Sequence, residues 1–189
     1  MTDKRIGFGI TGSYCTFKEI LPIIAQLAKH NTVTPVFSYS LKYDTRFLGA
    51  NDFYNEVTKA ANGVKPLTTL VEVEPFGPKK LLDIMVIAPC TGNTLAKLAN
   101  GITDTPVLLA AKAHLRNERP LVVAVSTNDA LAANAKNIGT LLNTRNIYFV
   151  PMSQDDPIQK PRSVVADFSR VFDTAQLAFE GKQIQPIFC

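Results

Sequence analysis

The fold of this chain is set by the stretch Asp83-Ile-Met-Val-Ile-Ala-Pro-Cys-Thr-Gly-Asn-Thr94. It is an apolar run that ends abruptly in small and polar residues and then enters a helical pattern. The N-terminal stretch Arg5-Ile-Gly-Phe-Gly-Ile-Thr-Gly-Ser13 has the same design. Such a run is typical of a buried parallel strand that opens into a loop facing a ligand. Two of them predict an anionic, flat, cofactor-like ligand at the carboxyl ends of the strands.

Strand and helix patterns alternate along the rest of the chain. The predicted strands are 5–10, 32–37, 83–88, 121–125 and 147–150, and the predicted helices are 16–29, 52–61, 94–100, 105–113, 129–143 and 163–179. Pro89 is expected to stop its strand, and segment 66–73 to form a short strand or turn. The alternation predicts an α/β fold: one doubly wound, Rossmann-like (flavodoxin-like) domain over residues 1–189, with a mainly parallel sheet and helices on both faces.

Composition restricts the classes of function. With 189 residues, 46% of them hydrophobic, and a net charge of +4, the chain has the size and balance of one globular domain. The charges form no basic block, so we expect no nucleic-acid partner. No apolar run reaches the roughly 20 residues of a bilayer span, so we expect no membrane association. Three cysteines without a CxxC pair predict neither a metal site nor disulfides, and free thiols predict a cytoplasmic location.

The first predicted loop has the residues of a phosphate site. Gly12 permits a tight turn, and Ser13 offers a hydroxyl and an N–H at a helix N-terminus, where the helix dipole favours an anion. An ordinary capped helix is the alternative. Gly7, Gly9 and Gly12 also match G-x-G-x-x-G, but the first two fall inside the strand. No acidic residue follows the second strand, so the pattern argues against direct dinucleotide binding.

The second predicted loop can add to that site. Ser38 or Ser40 can complete a phosphate nest, and Lys42 or Arg46 can supply positive charge to a phosphate or to a substrate carboxylate. A solvated surface loop explains the same residues.

The third and fourth loops are predicted to bind through neutral groups. After Pro89, the side chains of Thr91, Asn93 and Thr94 offer hydrogen bonds that suit a flavin or a sugar better than a metal. We expect Ser126 and Asn128 to face the same rim, although they can equally cap the following helix.

Neither histidine nor cysteine forms an evident catalytic pair. Cys90 is interpreted as a small packing residue, because His30 and His114 lie outside the four loops. We expect His114 at the surface.

The chain resembles the flavoprotein family of homo-oligomeric, flavin-containing cysteine decarboxylases. The segments that carry the resemblance are Gly9-Ile-Thr-Gly-Ser13, Tyr43-Asp-Thr-Arg-Phe47, Glu74-Pro-Phe-Gly-Pro-Lys-Lys80, Val86-Ile-Ala-Pro-Cys-Thr-Gly-Asn-Thr94, Ser126-Thr-Asn-Asp-Ala130, Asn146-Ile-Tyr-Phe-Val-Pro151 and Gly181-Lys-Gln-Ile-Gln-Pro186. The family's Pro-Ala-Ser-Ala-Asn-Thr motif corresponds to Pro89-Cys-Thr-Gly-Asn-Thr94. Single segments are weak signals, but their order along the chain is specific.

The resemblance implies FMN as a cofactor and a trimer or larger homo-oligomer. It assigns the FMN phosphate to Gly12 and Ser13, with Ser38 or Ser40 alongside, and it matches Asn93, Thr94 and Asn128 to family positions. Two features depart from the decarboxylases. No histidine lies between His30 and His114, and no reactive-cysteine loop follows Val150. The cavity can therefore hold FMN, a phosphate, a dicarboxylate or part of a partner's active site.

Within the family, the chain is similar to the smaller, B-type component of a two-chain oxidoreductase. That similarity implies a part in oxidising dihydrodipicolinate to dipicolinate during bacterial sporulation. NAD(P) is then expected on a dehydrogenase-like A subunit, and the present chain is not expected to be active alone. The alternatives are a stand-alone FMN-binding flavoprotein of the decarboxylase or prenyl-transfer class, and a non-enzymatic flavin-binding module.

Overall fold

A mainly parallel sheet organises the molecule, seen in a computed structural model that describes residues 1–44 and 49–189. Its strands are β1 (Arg5–Ile10), β2 (Thr32–Phe37), β3 (Ile84–Cys90), β4 (Leu121–Thr127), β5 (Ile147–Phe149), β6 (Met152–Ser153) and β7 (Val164–Ala166). The α-helices are α1 (Phe17–Ala28), α2 (Ala50–Ala60), α3 (Leu70–Val73), α4 (Gly92–Ala99), α5 (Pro106–Leu115), α6 (Ala135–Leu142) and α7 (Val171–Phe179). In these described ranges, no helix is long and apolar enough to cross a membrane.

The strand order places the ligand loops side by side. The parallel strands follow the order β2-β1-β3-β4-β5, and β7 and β6 continue from β4 in antiparallel pairing. The order reverses between β1 and β3, and such a switch point is where open α/β sheets bind their ligands. The predicted doubly wound, flavodoxin-like fold is confirmed.

The central strands are apolar throughout because helices cover them. All seven residues of β3 are buried, as are six of the seven in β4. One group of helices consists of α1 packed against α2 and α7, and the other has α5 packed against α3 and α4. Only the strand ends remain free to carry polar function.

Pro89 does not stop its strand, contrary to the prediction. Strand β3 continues to Cys90, which pairs with Val125 after a register shift that begins beyond Ile87. Proline cannot donate a ladder hydrogen bond, and the irregularity in the pairing accommodates it.

The predicted helix at 163–179 is wrong in its first half. Val164–Ala166 forms β7, antiparallel to the end of β4, and the α-helix begins only at Val171. The run of β-branched residues suits a strand, and pairing with β4 decides between the two structures.

The predicted helix at 129–143 is also too long, because α6 begins at Ala135. The Asp129 carboxylate accepts hydrogen bonds from Thr127 and Asn134, so it organises a turn rather than a helix cap.

Two smaller differences concern the segment before β3 and the single histidine of α5. Leu67 bridges Val36, and a capping box of Thr69 and Glu72 then starts α3. His114 is buried rather than at the surface. Its Nε2 lies 2.9 Å from the Pro120 carbonyl oxygen, and burial lowers the His114 pKa to about 4.

Candidate functional site

The carboxyl ends of β1, β2 and β3 surround a cavity of about 460 Å³. That volume lies within the range of cofactor and small-molecule sites. Six of the predicted residues line it: Gly12, Ser38, Ser40, Thr91, Asn93 and Thr94. The sheet topology thus brings together three loops that are up to 80 residues apart along the chain.

Buried Thr11 joins the first loop to the third. Its Oγ1 donates to the Pro89 carbonyl oxygen at 2.7 Å and accepts from the Thr91 N–H at 3.0 Å. The carbonyl of Pro89 is therefore used in the scaffold, while its ring is buried in β3. This pair of hydrogen bonds holds the two glycine-containing turns at a constant separation.

The first loop also lies against the second. A Cβ added to Gly12 would be 2.9 Å from Ser40 Oγ, so a side chain here would displace Ser40. Ser38 Oγ lies 2.6 Å from Ser40 Oγ, and the Tyr14 hydroxyl donates to the Ser40 carbonyl at 2.8 Å. Hydroxyl groups and backbone are thereby concentrated on the side of the cavity nearest β2.

The N-terminus of α4 forms the opposite side. Thr91 is its N-cap, and its Oγ1 lies 3.1 Å from Thr94 Oγ1 and accepts from the Thr94 N–H. The N–H groups of Gly92 and Asn93 belong to the first turn, where they have no partner within the helix. The Asn93 side chain is exposed toward the cavity. This side favours an anionic or amide-accepting ligand group.

A polar network fixes that helix start from behind. A Cβ at Gly92 would lie 2.5 Å from Thr127 Oγ1 and 2.7 Å from both Asn134 Nδ2 and Asp129 Oδ1. Asp129 accepts from Thr127 at 2.6 Å and from Asn134 at 2.9 Å, and the Thr127 hydrogen bond chiefly lowers the Asp129 pKa. An ionised carboxylate thus braces the loop at neutral pH.

The remaining predicted residues lie around the cavity rather than in its lining. Ser13 Oγ lies 2.8 Å from Ser126 Oγ, which links the first loop to the fourth. Asn128 is exposed and accepts from Ser163 Oγ at 3.2 Å, so it faces the C-terminal part of the chain. These side chains already have partners in the protein.

The two predicted cations differ in how the structure treats them. Lys42 Nζ lies over the Tyr39 ring, 4.3 Å from its centre. Arg46 lies outside the described residues.

Four lining residues were not singled out in the sequence: Tyr39, Lys97, Asp104 and Thr105. Lys97 Nζ and Asp104 Oδ2 are 2.5 Å apart. The spacing of Asn93 and Lys97, four residues apart in a predicted helix, was the available signal, since such residues share a face.

The cavity lining that the structure describes contains no imidazole or thiol. Cys90 is fully buried behind it, and desolvation raises the pKa of its thiol to about 12. A thiolate nucleophile at this position is therefore excluded. Nor do residues 1–44 and 49–189 contain a grouping of three or more His, Cys, Asp or Glu that could hold a metal ion. The arrangement can bind and orient a ligand through neutral groups and one ion pair.

A larger hollow of about 900 Å³ lies elsewhere, between α1 and α2. Phe17, Leu21 and Pro22 line it, and it lacks the convergent hydroxyl and N–H groups of the carboxyl edge. We therefore place the candidate site at the smaller, polar cavity.

Comparison with known proteins gives the same assignment at the level of the whole chain. The family described as Flavoprotein matches residues 1–174. The B subunit of dipicolinate synthase from Bacillus subtilis (strain 168) is 45% identical over 188 residues, which is 99% of this chain and 94% of that protein.

Solved structures extend the comparison. In the crystal structure of its Bacillus halodurans counterpart, also a dipicolinate synthase B subunit, the chain is 44% identical, with a TM-score of 0.91 over 100% of this chain and 97% of that chain. The FMN-dependent cysteine decarboxylase SpaF shares the fold at 22% identity, with a TM-score of 0.67 over 94% and 97% of the two chains. The matched residues, the strand order and the near-complete overlap lead to one conclusion: the chain belongs to the Flavoprotein family.

Proposed function

We propose that this chain is the B subunit of a dipicolinate synthase. In that role it contributes to the oxidation of dihydrodipicolinate to dipicolinate in sporulation, with NAD(P) held on a dehydrogenase-like A subunit. The ring loses one hydride, which NAD(P) accepts, and one proton. The observation that carries the proposal is the 45% identity over 99% of the chain to a protein of that name.

The geometry of the carboxyl edge supports a binding role for this chain. Its hydroxyls and helix N-terminal N–H groups can hold a carboxylate or phosphate. In the described lining, no imidazole or thiol is present to act as the usual acid–base or nucleophilic group. We therefore expect the chain alone to be inactive and the hydride transfer to take place against the partner's nucleotide.

The residues present also fit FMN. Gly12 leaves room for close backbone approach, Ser13 and Ser38 bring hydroxyls to the first two loops, and Asn93 and Thr94 lie at the start of α4. We assign the phosphate to Gly12 and Ser13, and the hydrogen bonds of the remaining ligand to the third loop. When bound, the flavin would supply electron transfer. A free phosphate or the dicarboxylate substrate are the other occupants that this chemistry admits.

The assembly state and location extend the proposal. We propose a homo-oligomer, a trimer or larger, that binds the A subunit in the cytoplasm. Three free cysteines, of which Cys15 and Cys189 are exposed, suit a reducing compartment. Analytical ultracentrifugation of the chain alone tests the oligomer, and a monomer at micromolar concentration would contradict it.

Reconstitution tests the function directly. The purified chain is combined with a dehydrogenase-like A subunit, dihydrodipicolinate and NADP, and dipicolinate formation is followed through NADPH absorbance. We expect turnover only when both chains are present. Turnover by the A subunit alone at the same rate would refute the proposal.

The second candidate is a stand-alone FMN enzyme. The shared fold with an FMN-dependent cysteine decarboxylase favours it, whereas the buried Cys90 and the lack of a lining histidine among the described residues do not. Decarboxylation of a cysteine-terminated peptide by the flavin-loaded chain alone would support this candidate.

A further inference from the structure

We propose that Lys97 and Asp104 form an exchangeable ion pair, in which Lys97 recognises an anionic group of the ligand, a carboxylate or a phosphate. Asp104 is the counter-ion of Lys97 until the ligand arrives. This exchange rests on the proposed function in one respect, namely that a ligand enters the same cavity.

The position of Lys97 suits recognition. It lies on α4 one turn after Asn93, and both side chains line the cavity. A ligand group bound by the N-terminal N–H groups of α4 would thus have the lysine ammonium on the same helix face.

The position of Asp104 suits a displaceable counter-ion. It lies in the connection after α4, immediately before Thr105, the N-cap of α5. Its Oδ2 is 2.5 Å from Lys97 Nζ, so the two side chains form a closed pair. The connection therefore places a carboxylate at the rim, where water can receive it.

Exposure distinguishes the two partners. The Lys97 side chain is 26% exposed and that of Asp104 is 52% exposed. An aspartate that leaves the pair is already half in solvent, whereas the lysine stem stays along the cavity wall. The exchange therefore leaves the cation inside and moves the carboxylate out.

The charge balance of the described lining requires such an exchange for an anion. In the part of the chain that the structure describes, Lys97 and Asp104 are the charged groups of the cavity wall, and together they are neutral. An anion that bound with the pair closed would gain little from Lys97 and would face Asp104. If the anion takes the ammonium, the cavity gains one charge-assisted hydrogen bond.

An ordinary surface ion pair is the competing explanation, and it predicts a different sign. Loss of either partner would then lower stability slightly, by the same amount, with no effect on ligand affinity. The exchange predicts opposite effects of the two substitutions on affinity.

The test titrates three probes, FMN, riboflavin and pyridine-2,6-dicarboxylate, into the wild-type chain, Lys97→Gln and Asp104→Asn. We expect Lys97→Gln to weaken binding of the anionic probe about tenfold, the loss of one charge-assisted hydrogen bond. Asp104→Asn is expected to tighten it about threefold, because the competing partner is removed. Thermal melts verify that each variant folds.

The probes separate the two sources of the anion. An effect on FMN but not on riboflavin identifies the flavin phosphate, and an effect on the dicarboxylate identifies the substrate. The control is the exposed Lys182–Glu180 pair, 2.9 Å apart and away from the cavity. Lys182→Gln and Glu180→Gln should leave the affinity for every probe unchanged.

Three results would overturn the exchange: no binding of any anionic probe, equal affinity of all variants, or weaker binding by Asp104→Asn. Reconstituted dipicolinate formation keeps the two proposals separate. Activity with the A subunit combined with unchanged affinity of Lys97→Gln would refute the ion-pair exchange alone. Opposite effects on affinity without reconstituted activity would refute the proposed function alone.

Discussion

At the amino edge of the sheet, Arg5 and Arg119 both contact Asp83, whereas at the carboxyl edge serine and threonine hydroxyls meet around a cavity. The Arg5 guanidinium binds the Asp83 carboxylate through two nitrogen atoms, at 2.6 and 3.1 Å. Arg119 adds a contact to Asp83 at 3.5 Å and donates to the Leu82 carbonyl. The amino edge therefore satisfies its charges within the protein.

The carboxyl edge leaves its donors available. The hydroxyl contacts there are neutral, and the first-turn N–H groups of α4 have no partner within the helix. Fixed ion pairs close one edge, and neutral groups with glycines keep the other edge open for a ligand. The difference separates residues that hold strands together from residues that bind.

The largest expected effect is that of Gly92→Ala. The added Cβ would overlap three polar side-chain atoms at 2.5–2.7 Å, so the start of α4 must shift. We expect the free energy of unfolding to fall by about 2 kcal/mol, as for overpacked sites, together with loss of ligand binding. Chemical denaturation and FMN titration measure the two effects.

Gly139→Ala in α6 is the matched control for that substitution. Nothing lies within 4 Å of a Cβ there. Stability should stay the same or rise by up to about 1 kcal/mol, since alanine favours a helix. If both variants behave alike, the carboxyl edge is not built as tightly as described.

Asn93→Ala should separate binding from stability. Its side chain is exposed toward the cavity rather than packed in the core, so we expect FMN or dicarboxylate affinity to fall about tenfold. Unfolding free energy should change by less than about 0.5 kcal/mol. A large drop in melting temperature with unchanged binding would show that Asn93 is structural.

Asp83→Asn should affect the amino edge alone. The Arg5 hydrogen bond holds the Asp83 pKa at about 2, below the ordinary value of roughly 3.9. A lowered carboxyl pKa adds stability above the ordinary pKa, and this is lost as the pH falls from about 4 toward 2.

At neutral pH we expect Asp83→Asn to cost about 1 kcal/mol, because the pair is partly exposed. The difference between the variant and the wild type should shrink as the pH falls from about 4 toward 2, in urea melts across that range. Ligand affinity should be unchanged. A pH-independent difference would mean that the Asp83 carboxylate does not stabilise the fold by charge.

Cys90→Ser should have the smallest effect on function. With its pKa raised to about 12 by burial, the thiol stays neutral and unreactive at physiological pH. We expect most reconstituted activity to remain, and iodoacetamide at about pH 8 to label the exposed Cys15 and Cys189 but not Cys90 in the native protein. Loss of turnover in a folded Cys90→Ser protein would restore the nucleophile interpretation.

The sequence predicted the parts of the molecule that depend on local pattern. Strands β1 and β2 begin and end where predicted, since apolar runs bounded by polar residues mark them. The six predicted residues of the cavity lie together because parallel strands end at one edge of the sheet.

Other parts depend on contacts between distant segments. Strand β7 exists because Val165 pairs with Ser126, and the sequence around it is equally compatible with a helix. Lys97 and Asp104 are ordinary surface residues in the sequence, and only the fold places both at the cavity. His114 has charged neighbours in the chain but is buried, with its ring against the Pro120 carbonyl.

One FMN titration, followed by flavin absorbance and thermal shift, tests most directly whether the carboxyl edge binds the ligand. It compares the wild type with Asn93→Ala and Asp83→Asn. We predict saturable binding by the wild type, weakening of about tenfold in Asn93→Ala, and wild-type affinity in the destabilised Asp83→Asn. Failure of the wild type to bind FMN, or equal losses of affinity at both edges, would contradict the assignment of ligand binding to the carboxyl edge.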